Sequence, residues 1–330
     1  MGNTGNFTRR RLLTVAAGAT ALATVPAAAQ APEKVKVGVF PVSSSLPYFV
    51  ALERGFFKEQ NIEPEMVRLI GGPPNVAAMI TNQIDASAVL VTIEGMNANL
   101  KKSGVAMYIS LNSQNRTYQM EQFVVRIGLS GVNSLADLKG KKIMSAPGPA
   151  NVTMAKAALA AVGLKDGDYS IDQLDMAQHV NVMQAGTFDA GYTLEPNAST
   201  MRKMGIARTI ESGVIAHYVL GDPNANAFVA GCALTTDFVK GRPETAKRFT
   251  AAWAKATDLI NTNPEEARKH LVKNTLTPED VVGTVPMIRY FMAGNLTAKD
   301  KADFQKFIDF SVTTGTLPEK VDVAKFIQTF

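Results

Sequence analysis

Ser43-Ser44-Ser45 ahead of Pro47, Thr92 ahead of Ile93-Glu94, Asn151 and Thr153 beside Pro149, and Glu195 ahead of Pro196 share one property. Each places a hydrogen-bonding side chain at the start of an expected helix. The first amides of a helix have no partner inside it, so such side chains either cap the helix or join its amides in holding a small polar molecule. Tyr48 and Tyr192 could stack on a ring or donate a hydroxyl, or simply pack, and Gly71-Gly72-Pro73-Pro74 brings bare backbone to a turn. The candidate ligand-binding residues are therefore Ser44, Ser45, Tyr48, Gly72, Thr92, Asn151, Thr153, Tyr192 and Glu195. For each, a cap or a core contact is the ordinary alternative. Glu195 is open to two roles, meeting an amine or ring N–H, or capping the helix that follows.

These turns hold Glu94 and Glu195 but no Lys or Arg. A helix N-terminus gives an anion only about 0.3–1 kcal/mol, whereas micromolar binding needs about 8 kcal/mol. A strongly charged anion thus lacks a partner, unless Arg116 or Arg126 serves a carboxylate or sulfonate instead of being solvated. A weakly charged or zwitterionic organic ligand is expected, with a sulfonate, a carboxylate and a pyrimidine-like compound as the other candidates.

Enzyme chemistry finds no motif. The chain has no G-x-G-x-x-G, no G-x-S-x-G and no C-x-x-C, and His179, His217 and His270 are too far apart to form a local metal motif. No catalytic residue, metal or cofactor is expected, and the single cysteine, Cys232, leaves no intramolecular disulfide.

The first thirty residues read as an export leader. Arg9, Arg10 and Arg11 precede an uncharged run from Leu12 to Ala29 that ends in small residues, with cleavage expected near Ala29. The arginines suit the Tat route, with Sec as the alternative. The run falls short of the roughly 20 residues that span a bilayer. A periplasmic protein without membrane insertion of the mature chain follows, and a monomer is expected. Losing the three arginines takes the basic residues from 34 to 31 against 29 acidic ones, so the net charge falls from +5 to +2. Nucleic-acid binding thereby loses its support.

From Lys34 the chain repeats a short β-branched run, a small or polar loop and a helical pattern. Strands are expected at 35–40, 65–69, 86–91 and 106–111, with a first helix over 47–59 carrying Phe49, Leu52, Phe56 and Phe57 on one side. A polar stretch, Asn112 to Thr117, then precedes a second set: an extended run from Gln122 to Ile127, a helix start at Ser134, strands at 142–145, 169–174 and 190–194, and a helix over 151–162. An apolar run at 227–235 precedes a mostly helical tail. In that tail Asn263-Pro264-Glu265-Glu266 and Thr277-Pro278-Glu279-Asp280 read as capped helix starts. The expected fold is α/β and two-lobed, each lobe a mainly parallel sheet flanked by helices. Residues 30–117 with 232–330 form lobe 1, 118–231 form lobe 2, and the chain crosses near 115–123 and 226–234.

Four passages carry a resemblance: Pro47 to Ile62 with Gly55-Phe56-Phe57-Lys58, Ala77 to Ala86 ending in Ile84-Asp85-Ala86, Ser134 to Ile143, and Met183 to Ala190 with Phe188-Asp189-Ala190. Together, in this order, they resemble the SsuA/THI5-like (NitT/TauT, NMT1-like) branch of substrate-binding proteins of ABC transporters, over about residues 35 to 275. Asn61 and Asn82 stand where that family usually has glycine, and asparagine tolerates the left-handed conformation. The resemblance implies the type II-like periplasmic binding protein fold, a small-molecule ligand between the lobes, and an ABC permease with its ATPase as partner. A ligand-presenting sensor subunit and a Tat-exported enzyme are the alternatives. A pyrimidine-forming enzyme on the same fold would need a cysteine-rich cluster, which Cys232 alone does not supply.

Overall fold

Valines 35, 37 and 39 put three branched side chains on one face, and all three are buried in the first strand, β1 (Glu33–Val39). The computed structural model describes residues 1–2, 31–275 and 277–330, and its helices and strands lie within the body Pro32–Phe330. The leader expected over 1–29 lies almost wholly outside the described residues.

Along the chain follow β2 (Ile62–Arg68), β3 (Ala86–Val91), β4 (Met107–Gln114), β5 (Glu121–Arg126), β6 (Lys142–Ser145), β7 (Ser170–Gln173), β8 (Ala190–Leu194), β9 (Ala207–Ser212), β10 (Ala227–Leu234) and β11 (Arg289–Met292). They build two sheets, ordered β11-β4-β10-β3-β1-β2 and β7-β6-β8-β5-β9. The fold is two-lobed, with one sheet per lobe, helices on the sheets and a helical C-terminal region. Both sheets are mixed. β1 is parallel to β2 and β3, whereas β10 runs antiparallel between β3 and β4; in the second sheet β6 is parallel to β7 and β8, whereas β5 opposes β8 and β9. The chain passes from the first sheet to the second between β4 and β5 and returns between β9 and β10.

One device recurs in both lobes. Asp85 and Asp189 each precede an alanine that opens a buried strand, and each carboxylate accepts an N–H from a neighbouring strand, Lys36 at 2.9 Å and Lys142 at 3.0 Å. Their own N–H groups return bonds to the carbonyls of the same lysines. These aspartates hold scaffold. Asn61 and Asn82 are the non-glycine residues with positive φ among the described residues, at 52° and 54°, as the glycine-like turns require.

The single helix expected over 47–59 is two, Leu46–Glu53 and Phe56–Glu59, because Gly55 at φ 75° turns the chain between them. The break re-aims the apolar face: Phe49 and Phe57 are buried, whereas Leu52 is exposed. Strand β4 runs through Gln114, past the expected end at 111, because its polar residues 112–114 pair with β10 and β11. Asn263 caps the helix Pro264–Arg268 by accepting the Glu266 N–H. Thr277 does not cap its helix; its hydroxyl meets that of Thr275, and Pro278 takes the N-cap place.

The long helix Pro243–Thr262, in the helical C-terminal region, packs on lobe 1 through a run of rings. Trp253 stacks on Phe249, Phe249 on Phe57, and Phe57 meets Tyr48, with centroids 6.0, 5.1 and 5.8 Å apart.

Candidate functional site

The loops that leave β1, β2 and β3 face those that leave β6 and β8, and a small cavity of about 40 Å³ remains between them. Clefts of about 230 and 380 Å³, also lined from both lobes, adjoin it; the cavity itself holds only a few waters, since one water needs roughly 10–15 Å³ on this scale. Ser44 and Gly72 from one lobe and Asn151 from the other reach its wall. The rest is mostly apolar, with Phe40, Val91, Met120, Met154, Ile215 and Phe307 among the lining side chains.

The other sequence-derived candidates lie elsewhere. The Ser45 hydroxyl donates to the Phe40 carbonyl at 2.6 Å and so pins its own turn. Tyr48 and Tyr192 are fully buried among rings, with hydroxyls that have no partner among the described residues, and burial raises both phenols. Thr92 donates to the Phe228 carbonyl at 2.9 Å, tying the end of β3 to the returning strand. Thr153 accepts from the Thr316 hydroxyl at 3.5 Å. Asn151, although on the wall, donates its amide to the Pro147 carbonyl at 2.7 Å.

Glu195 has neither a free face nor a free oxygen. It is fully buried; Arg202 donates to Oε1 at 3.0 Å, the Gln122 amide donates to the same oxygen, and the Ser199 N–H donates to Oε2 at 3.0 Å. Arg202 also reaches Gln122 Oε1 and the hydroxyls of Thr209 and Ser199. Burial raises the Glu195 carboxyl, against the lowering effect of Arg202. Arg126, the cation weighed for an anionic ligand, stands 3.7 Å from Asp189.

Two acidic residues define the site more sharply. Glu121, at the first position of β5, lines the cavity at 5% exposure, and its Oε2 has no donor among the described residues. Burial pushes its carboxyl up to about 8. Glu94 sits in the first turn of the helix Thr92–Lys101 and accepts the backbone N–H of Ala150 in the opposite lobe. Burial outweighs that bond and pushes its carboxyl up to about 7. Its carboxyl lies against Gly72, where a methyl group would fall 1.3 Å from Oε2 and force the Glu94 side chain to move. Sequence reasoning placed Glu94 in a cleft turn but gave Glu121 no role. The available signal was an acid opening an otherwise apolar extended run.

These carboxyls make stability fall with rising pH. The native chain keeps the Glu121 proton that the unfolded chain gives up near 4.5, so that stabilisation is complete below 4.5 and lost as pH climbs to about 8. Glu94 acts in the same direction up to about 7. His179, whose ring meets the Thr193 hydroxyl at 2.8 Å and is pushed down to about 4 by burial, acts oppositely: its share is complete above 6.5 and lost as pH falls toward 4. The difference in unfolding free energy between wild type and Glu121→Gln should therefore decline between about pH 5 and 8, by up to about 1.4 kcal/mol per pH unit. Urea titrations at stepped pH measure it, and a flat difference would contradict the assignment.

Among the described residues no group of three or more His, Cys, Asp or Glu is placed to hold a metal ion, and no helix is long and apolar enough to cross a membrane.

Two α/β lobes joined by two strand crossings, with a cavity at the strand ends between them, define the class of periplasmic binding proteins. The sequence profile of the NMT1/THI5-like family matches residues 43–267, more than half of the chain, and the chain belongs to that family. A candidate binding protein of Brucella abortus (strain 2308) is 25% identical over 200 residues, covering 60% of this chain and 58% of the relative. The chain thus spans less than two thirds of the length of the curated relatives it matches. The alkanesulfonate-binding protein SsuA of Xanthomonas axonopodis pv. citri, bound to MOPS, superposes with a TM-score of 0.71 at 20% identity, over 90% of this chain and 98% of that one. The periplasmic nitrate-binding protein NrtA of Synechocystis PCC 6803 gives 0.69 at 15%, over 90% and 86%. At these identities the likeness is one of fold.

Proposed function

We propose that the chain is an extracytoplasmic solute-binding protein, which holds a small organic molecule between its lobes and delivers it to an ABC permease with its ATPase. The observation that carries this reading is the cavity walled by residues from both lobes at the strand ends, where open α/β folds bind ligands. Membership of the NMT1/THI5-like family supports it. The arginine-led apolar run over the first thirty residues supports export and cleavage near Ala29 to a periplasmic protein, proposed to act as a monomer. Catalysis plays no part in this reading.

Of the nine candidate contacts, Ser44, Gly72 and Asn151 are proposed to meet the ligand, joined by Glu121. Ser45, Tyr48, Thr92, Thr153, Tyr192 and Glu195 are proposed to support the wall. A thermal-shift screen over amines, amidines, pyrimidines, aromatic carboxylates, sulfonates and nitrate tests the function. A true ligand at 100 times its Kd adds about 2.7 kcal/mol and should raise the melting temperature by roughly 5 °C. Turnover of a compound, with no shift from any of them, would overturn the reading.

A further inference from the structure

Resting on the solute-binding reading, we infer that the ligand is an organic cation, an amine or amidine, whose N–H groups are received by the carboxyl of Glu121, with Glu94 as a second acceptor where the lobes meet. Three observations converge on this. Glu121 is 5% exposed, lines the cavity, and has an oxygen with no donor among the described residues. A buried acceptor without a protein donor takes one from water or from a bound molecule. Among the described residues no Lys, Arg or His lines the cavity, and its wall is otherwise mostly apolar.

The third observation removes the competing chemistry. The helix Pro149–Ala161 points its first amides toward the opposing lobe, the usual dock for an anion. There the protein has placed its own carboxyl: Glu94 accepts the Ala150 N–H, and it also lies close to Gly72 and Gly148. Gly72 and Ala150 both line the cavity. An incoming sulfonate or carboxylate would find that amide taken and two carboxyls nearby without a balancing cation. An ammonium or amidinium would find the Glu121 acceptor on the wall and Glu94 behind Gly72 and Ala150, each with one oxygen that has no partner among the described residues.

Such a cation also reverses the effect of burial. The Glu121 and Glu94 carboxyls are held up to about 8 and about 7. The titratable side chains beside them are Tyr192 and Tyr108, both phenols raised well above their ordinary value and so uncharged. A bound cation restores the ordinary acidity of the carboxyls, so binding near neutral pH releases a proton to the buffer.

Isothermal titration of the full chain with benzylamine and benzamidine, against benzoate and benzenesulfonate, tests this in two buffers of different ionisation heat. The cations should bind at least about tenfold more tightly than the matched anions and release a proton. Glu121→Gln should weaken cation binding by about tenfold or more and reduce the proton release. Glu121→Asp keeps the charge on a shorter arm, and should weaken binding while retaining the release; it serves if the glutamine variant fails to fold. Anions binding as tightly as the cations, cation affinity unchanged in both variants, or a neutral solute binding where the cations do not, would each overturn the inference and leave the solute-binding reading in place. If none of these probes and none of the screened solutes binds, the solute-binding reading fails with it.

Discussion

Arg202→Met is expected to destabilise the protein by about 3–5 kcal/mol, because it strands a fully buried carboxylate rather than removing a surface charge. Against a total stability of about 5–15 kcal/mol for a folded domain, this should be visible as a large drop in the urea midpoint. Glu195 would keep Gln122 and the Ser199 N–H but lose the Arg202 cation, so burial would raise its carboxyl further. The sign with pH follows: a raised carboxyl is tolerated while protonated and penalised when it must ionise, so the loss should be larger at pH 8 than at pH 5. The double variant Arg202→Met with Glu195→Gln should recover most of the stability. A single variant that unfolds at the wild-type midpoint at both pH values would show that the pair does not hold the second lobe.

Trp253→Ala should cost a similar amount, about 3–5 kcal/mol, by a different mechanism. Trp253 is fully buried and stacks on Phe249, which passes the contact to Phe57 and Tyr48. Truncation opens a cavity at the place where this long helix meets the first lobe, and rigid helices on both sides collapse into it only in part. As the chain has a single tryptophan, unfolding should be followed by far-UV circular dichroism. Leu52→Ala in the same region is the control: that side chain is 37% exposed, and its loss should stay within about 0.5 kcal/mol. Equal effects for the two substitutions would mean that the aromatic run does not carry the contact between helix and lobe.

The local chemistry of this fold is legible in the sequence. The left-handed turns at Asn61 and Asn82 and the Ala86–Val91 strand depend on residues adjacent in the chain or on strong steric rules, whereas the Asp85 and Asp189 turns are visible as local motifs although their carboxylates bond to strands 49 and 47 residues away. What sequence reasoning misses is decided over long separations. β9 and β11 are edge strands with mixed polarity, and each is a strand only because β5 or β4 offers it a free edge.

The site follows the same division. The turns that face the cavity are predictable from strand ends, but the use of each side chain in them is not. Glu195 reads locally as a cap or ligand contact, yet Gln122 and Arg202, which arrive from another strand and from the following helix, consume it. Glu121 falls one residue before the extended run expected from Gln122, and only the packing of both lobes around it turns it into a buried acceptor.

The position of β10 between β3 and β4 has a consequence for the order in which the molecule can be made. By residue 212 all five strands of the second sheet have been synthesised, whereas the first sheet still lacks the strand that joins its two halves. The inner lobe can close while its host is a split sheet with open edges at β3 and β4. Only when residues 227–234 emerge does the first lobe become continuous, so the chain's earliest strands are among the last to be locked in place.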